Sequence, residues 1–508
     1  MEAFLKIVTQ VNNAVNSAVW GLPGLILLIG TGILITLGTK VFQVTRIGLW
    51  WKNTISSLFK KDSESVKSND KKSISQFGAA CAALAATVGT GNIVGVSAAI
   101  VTGGPGAVFW MWAAAFFGMM TKFAENVLGI YFRRKNKDGE WSGGPMYFLE
   151  DGLGKHYGKK WLVPVSKVLA VLFAVFAVIA SFGIGNMAQI NKIVLNMNVA
   201  FFSGVSLGVV PGTEIEIIPL IIGAVLLVIC ALIVIGGINR IAKFAEIVVP
   251  FMSIVYIIGS LIIVGMNIES VGPMFVSIFK FAFTPAAFIG GGLGVLIKTT
   301  MAQGFKRGVF SNEAGLGSSV LVHTSSDVKE PVKQGMWGIF EVFFDTFIIC
   351  SMTAIVVLSS GFIDLTTGAP AAGVNGDTLV SGVFGKYFGA PGTWFVAIAI
   401  LFFAFTTVIG WSQYGAKSIE YLFGAKGAKV YKVLFVAMVI VGAVMDGGLA
   451  WDLSDTFNGL MMIPNLIGVL ALLPLVLKIT QNYIDRHCKN KDVAPMLSYH
   501  AEEETKSE

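Results

Sequence analysis

A chain of 508 residues that is 55% apolar or aromatic and only 13% charged, with a mean hydropathy of +0.74, is not a soluble domain, which would carry about twice that share of charge. The net charge of +7 sits in particular loops, which argues against nucleic acid and for cations gathered on the cytoplasmic side of a membrane. Cys81, Cys230, Cys350 and Cys488, and His156, His323, His487 and His500, show no ligand spacing, so neither a metal centre nor a disulfide framework is expected.

The apolar residues fall into runs long enough to cross a bilayer as helix, which takes about 20 residues. Segments of about ten residues with alternating polarity, the mark of a membrane β-barrel, are absent. An all-α polytopic membrane protein follows, with the lipid bilayer as its setting and no cofactor. In chain order the runs are 22–44, 76–101, 107–132, 162–197, 217–236, 244–266, 286–324, 333–359, 393–423, 429–446 and 455–478, eleven in all. The first lacks a cleavage site and reads as a retained helix. The run 286–324 is too interrupted by Gly and charge to be one straight span. Lys and Arg gather in the loop holding Lys52, Lys60, Lys61, Lys67, Lys71 and Lys72, in 133–161, at Arg240 and Lys243, and from Lys417 to Lys429, whereas 198–216 and 360–385 hold none. This alternation puts the N-terminus outside and the C-terminus in the cytoplasm, as a multi-pass protein of the cell (inner) membrane. The expected division is 1–75 (an extra helix and a basic loop), 76–266 and 267–478 (two five-helix repeats), and a polar tail 479–508. That tail, like Lys60–Lys72, is too polar to pack and is expected to be disordered.

Two spans are interrupted in matching places. In the second, Gly89, Gly91 and Gly95 stand among Thr87, Thr90 and Asn92, a composition that weakens helix in mid-span. In the seventh, Gly308, Gly315 and Gly317 surround Phe310-Ser311-Asn312-Glu313. Such glycines are often only packing surfaces. Polar residues in the same turns favour unwinding, however, and bare backbone is tolerated in a membrane only where it lines a cavity. Counted from the second span, the breaks fall first and sixth, at corresponding places of two five-helix sets, as in secondary transporters. Half-helix N-termini suit a substrate carboxylate. Exposed carbonyls and hydroxyls suit a hard cation such as sodium, so an α-amino acid fits without any charged side chain.

Five motifs carry a resemblance: Gly89-Thr-Gly-Asn-Ile-Val-Gly95, Gly103-Gly-Pro-Gly-Ala-Val-Phe-Trp110-Met-Trp112-Ala-Ala-Ala-Phe-Phe-Gly118, Ser142-Gly-Gly-Pro-Met-Tyr147, Arg307-Gly-Val-Phe-Ser-Asn-Glu-Ala-Gly-Leu-Gly317 and Phe340-Glu-Val-Phe-Phe-Asp-Thr346. Together, and in this order, they resemble the alanine or glycine:cation symporter family. The resemblance implies the leucine-transporter-type fold, ten helices as inverted repeats with one extra helix at the N-terminus, and sodium-coupled uptake of alanine or glycine by alternating access. It implies that Thr90, Gly91 and Asn92 hold the substrate carboxylate, and that Phe310, Ser311 and Asn312 contact the ammonium group and side chain. Thr406 and Thr407 would coordinate sodium with carbonyls near Ala86 and Gly89. Trp411 would cap the pocket and Gln189 would form a polar wall.

Duller readings stand beside these. Trp110 and Trp112 suit interfacial anchoring, and the hydroxyls of Thr406 and Thr407 can bond back to the preceding turn. Glu341 and Asp345, four apart, share a helix face, with Lys306 or Arg307 as the expected counter-ion; as intramembrane charges they mark function. Lys122 and Glu125 read as a local surface pair, and Asp446, Asp452 and Asp455 as solvated groups of an external loop. The rival within transport is proton coupling through Glu341 or Asp345. A membrane enzyme lacks a catalytic constellation, and a channel does not need paired breaks. Oligomeric state is not set by the sequence.

Overall fold

The computed structural model describes residues 2–60, 65–68, 70, 72–284, 293–445 and 448–498. Lys61, Lys71, Asp446 and 499–508 lie outside the described residues. The chain opens with α1 (Glu2–Val19), which the hydropathy runs did not mark, and α2 (Leu22–Gly38). Pro23 stands in the first turn of α2, where its missing N–H leaves no bond unmade. Ser75 starts α3 (Gln76–Thr87), its Oγ accepting from Gly78 N at 2.8 Å. After a bend of 52°, α4 (Gly91–Gly103) continues. Then come α5 (Gly106–Tyr131), α6 (Leu162–Phe201), α7 (Ile217–Val234) and α8 (Gly237–Met266). An amphipathic α9 (Ile268–Phe283) precedes α10 (Leu293–Asn312). The chain finishes with α11 (Pro331–Ser359), α12 (Leu379–Phe388), α13 (Ala390–Val444), α14 (Gly448–Ala471) and α15 (Leu473–Lys489). The described strands are a two-stranded antiparallel hairpin, Arg134–Lys135 with Trp141–Ser142.

Among the described residues seven helices are long and apolar enough to cross a membrane, or nine when each bent pair is one span. The 55 residues of α13 turn at Gly424 (φ 73°) and so supply two of the expected spans. Lys298, Lys306 and Arg307 make α10 too polar to count on hydropathy alone. With these, every expected run has a helix. The run 286–324 is broken as expected: α10 ends at Asn312, and the chain resumes as helix at Val320–His323.

The expectation for the polar tail is corrected over its described residues. The segment after Lys478 is helical to Lys489, because Leu475, Val476, Ile479, Tyr483 and Ile484 recur at helical spacing and are buried. Its polar end is tied down as well: Arg486 pairs with Glu330, and Ser498 Oγ donates to the Tyr131 carbonyl at 3.3 Å.

Burial sorts the helices. The apolar windows of α5, α11 and α13 are 67% buried, against 28% for α7, so the first three form the centre and α7 faces lipid. Its exposed Ile221, Val225, Val228, Leu232 and Ile235 make one apolar stripe. Of four π-type stretches among the described residues, one, Phe148–His156, follows the hairpin, and three interrupt α4, α6 and α11, at Gly91–Gly95, Gly183–Met187 and Phe343–Cys350. Such turns frequently accompany function, and all three converge on one place.

Candidate functional site

α3 stops at Thr87 because Val88 leaves the helical region, with ψ of 90°. Side chains hold the loop that follows. Gly89 N donates to Asn92 Oδ1 at 2.8 Å. Thr90 N and Oγ1 both donate to Gln189 Oε1, at 3.2 and 2.9 Å, and Gln189 Nε2 donates to the Ile184 carbonyl at 3.1 Å. Across from this loop, Glu313 takes the left-handed conformation (φ 55°), and Gly315 and Gly317 follow with φ of 92° and 74°, which glycine adopts without strain. A methyl group on Gly91 would lie 3.2 Å from both Phe310 Cδ1 and Ser311 Cα. The two breaks therefore touch.

The cation candidates are partly brought together. A methyl on Gly89 would lie 2.3 Å from Thr407 Oγ1 and 3.3 Å from Gln189 Oε1, and Gly410 packs on Ala86. Ala86, Gly89 and Thr407 thus lie along one contact between α3 and α13. Thr406 points elsewhere: its hydroxyl faces Met252 Sδ at 3.8 Å and donates to the Phe402 and Phe403 carbonyls at 2.9 Å. Thr407 Oγ1 also bonds back, to Phe403 O at 3.1 Å. Trp411, one turn along, is buried with its ring against Gly185 and edge-on to Tyr414.

Asp345 was read in the sequence only as the neighbour of Glu341, yet it is the hub joining the breaks. Its carboxylate accepts from Asn92 Nδ2 at 2.6 Å, from Ser311 Oγ at 2.8 and 3.1 Å, and from Thr346 Oγ1 at 2.9 Å. Asn312 Nδ2 completes the set by donating to Thr346 Oγ1 at 3.0 Å. Lys306 is not its counter-ion. That lysine pairs with Asp455 at 2.6 Å, and Asn16 Nδ2 joins the same carboxylate at 3.0 Å, so Asp455 is held rather than solvated. Glu341 is paired instead with Lys122, at 3.4 Å, and His323, at 2.9 Å. Lys122 and Glu125 are both fully buried, which corrects their reading as a surface pair. Trp110 and Trp112 are tied to the Ala282 carbonyl and the Ser351 hydroxyl, at 3.0 and 2.9 Å.

A cavity of about 250 Å³ descends to the breaks, lined by Thr90, Val94, Gly95, Ala98, Ile184, Ala188 and Phe310. Charged residues surround its mouth: Lys192 and Asp377, paired at 2.7 Å, with Asp452 and the Lys306–Asp455 pair. The guanidinium of Arg307 lies 5.9 Å from the centre of the Phe310 ring. Thr90 and Phe310, one from each break, form its floor. Gln189, Asn92, Ser311, Asn312 and Trp411 lie behind that floor.

Comparison with known proteins shows the family and the fold. The profile of the sodium:alanine symporter family matches residues 5–496. The chain is 42% identical to a sodium/alanine symporter, AgcS, of Methanococcus maripaludis over 476 residues, 93% of this chain and 96% of that protein. Among solved structures it shares its fold with MhsT in complex with L-phenylalanine (TM-score 0.52, 14% identity, 81% of this chain and 99% of that one). It also resembles a substrate-bound outward-open sodium-coupled sialic acid symporter (TM-score 0.50, 12% identity, 89% and 87% covered). Both are built on the leucine-transporter-type fold. By the match along nearly its whole length, the chain belongs to the sodium:alanine symporter family and is a multi-pass membrane transporter, not an enzyme.

Proposed function

We propose that this protein takes up alanine or glycine together with sodium by alternating access around the two breaks. The observation that carries this reading is the contact of Gly91 with Phe310, on the floor of the charged-mouthed cavity, and with Ser311 behind it. A volume of about 250 Å³ falls below the ~300–1,000 Å³ of sites for drug-sized ligands and suits a small zwitterion. The N-terminal end of α4 presents its first-turn dipole to the substrate carboxylate, and Gln189, which now accepts from Thr90, yields those donors on binding. Phe310, Ser311 and Asn312 meet the ammonium group and the side chain, and Trp411 limits its size. Sodium sits between Thr407 and the carbonyls near Ala86 and Gly89, while the Thr406 hydroxyl, turned toward Met252, takes no part. The relative from Methanococcus maripaludis, named for sodium and alanine, supports the same pairing. The cavity lies toward the end of α6 that meets the basic-poor segment 198–216, and the positive-inside rule supports an outward-facing mouth, a cytoplasmic C-terminus and the cell membrane as its setting.

Radiolabelled alanine uptake into proteoliposomes tests this. Accumulation driven by an inward sodium gradient, and competed by glycine more than by large amino acids, supports the reading. Accumulation without sodium, driven by an imposed pH gradient, would move the coupling to protons.

A further inference from the structure

On the far side of the seventh-span break lies a buried group of ionisable side chains that the transport reading leaves without a task. Lys122 and Glu125 of α5, Glu313 of the break, His323 and Glu341 are each 2% exposed or less. Lys122 Nζ donates to Ser319 Oγ at 2.6 Å and lies 3.4 Å from Glu341 Oε1. Glu341 Oε2 meets His323 Nε2 at 2.9 Å, and His323 Nδ1 meets Gln334 Nε2 at 2.7 Å. An amide nitrogen only donates, so His323 Nδ1 accepts from Gln334 and Nε2 faces the Glu341 carboxylate. The single ammonium is matched by Glu341. Glu125 and Glu313 make no ion pair of their own among the described residues, though both lie in the field of Lys122 and Glu341.

Asn465 Nδ2 donates to Glu125 Oε1 at 2.5 Å and to the Gly315 carbonyl at 2.9 Å. Glu125 Oε2 and Asn465 Oδ1, the other ends of the same two groups, are both buried with no partner at hydrogen-bond geometry, the Gly317 N–H being the backbone donor that faces the Glu125 carboxyl. A carboxylate and an amide can share one hydrogen bond; a protonated carboxyl and an amide can close a ring of two. This pair is short of one hydrogen. A buried, unpaired carboxylate is costly as a charge. A proton on Glu125 Oε2 supplies the hydrogen that Asn465 Oδ1 can accept.

We propose that Glu125, gripped by Asn465, binds a proton from the cytoplasmic side, with Glu313 as a second acceptor, and that this proton holds the inner half of the seventh span shut. The proposal rests on the transport reading and adds regulation to it. Asn465 joins Glu125 to Gly315, so the proton fastens the left-handed loop to α5 and α14. Ser318 Oγ binds Glu313 Oε2 at 2.5 Å, and the Tyr414 hydroxyl of α13 faces the same carboxyl. Losing the proton sets a negative charge on Glu125 in addition to that of Glu341, and repulsion loosens the loop. Opening inward therefore releases a proton, and a low inner pH keeps the gate closed.

The test is initial alanine uptake by the full chain in singly oriented proteoliposomes, at constant sodium gradient and outer pH, with lumenal pH varied. Uptake by the unmodified protein should fall at least about threefold between lumenal pH of about 8 and about 6, as one titrating site requires. Glu125→Gln, whose amide carries the hydrogen permanently, should be slow and flat across that range while keeping sodium-dependent alanine binding at equilibrium. A flat profile in the unmodified protein, or an unchanged slope in Glu125→Gln, overturns the proposal. Should Glu125→Gln lose binding, Asn465→Ala carries the test: its midpoint should move down by about one pH unit, a tenfold loss of proton affinity, and an unmoved midpoint overturns the proposal. No alanine uptake at any pH would instead count against the transport reading itself.

Discussion

A methyl group on Gly89 would lie 2.3 Å from Thr407 Oγ1, well inside van der Waals contact, so the closeness of α3 and α13 at the proposed cation position depends on that glycine. Gly89→Ala should therefore cut alanine uptake by about tenfold or more through displacement of about an ångström at the site. Thr407→Ala keeps the backbone and removes one oxygen ligand, which is worth about 1.5 kcal/mol or more for a bond to a charged group. Its half-saturating sodium concentration should rise about tenfold in uptake titrations, and an unchanged value would remove Thr407 from the cation site. Trp411→Ala should admit bulkier amino acids as competitors of alanine uptake, and an unchanged competitor profile would take Trp411 out of the pocket. The residues of the two breaks were legible in the sequence because Gly, Thr, Asn and Ser interrupt otherwise apolar runs. The role of Asp345 was not, because its partner Asn92 is 253 positions away and helix spacing favoured a link with Glu341. Lys122 and Glu125 misled for a related reason: a spacing of three puts two residues on one helix face and says nothing of that face's depth.

Helices were legible where hydropathy speaks and hidden where amphipathicity does. The bend at 88–90 and the end of α10 follow from glycine and polar insertions, whereas α15 was obscured by its charged outer face. Its buried side is a helical stripe, and Ile479 there is 1% exposed. Ile479→Ala should destabilise the solubilised protein by about 2–4 kcal/mol, the usual result of emptying a packed aliphatic site. Gln481→Ala on the exposed face of the same helix should stay within about 0.5 kcal/mol of the parent. Thermal unfolding in detergent checks both, and equal small shifts would mean that α15 does not pack. The turn of α13 escaped the sequence reading as a continuous helix because Gly424, with φ of 73°, lets two spans join without a loop.

At the scale of the whole molecule, the fold class and the paired breaks could be read from composition and spacing, and the three π-type turns could not, since no residue pattern announced them. The vestibule was also hidden: it is assembled from segments as distant as Thr90 and Asp455, and only the folded chain shows them around one opening. The central claim is that this opening leads to a site formed jointly by the two breaks and filled by an amino acid with sodium. Val94, on the vestibule wall one turn above Thr90, offers a direct probe. Cys81, Cys230 and Cys350 are buried, and the exposed Cys488 can be replaced by serine. In that background the rate of thiol alkylation of Val94→Cys is measured in detergent. Alanine with sodium should slow the reaction about tenfold, as expected for a site kept mostly occupied, while alanine with potassium should leave it unchanged. A rate indifferent to alanine and sodium together would contradict the account.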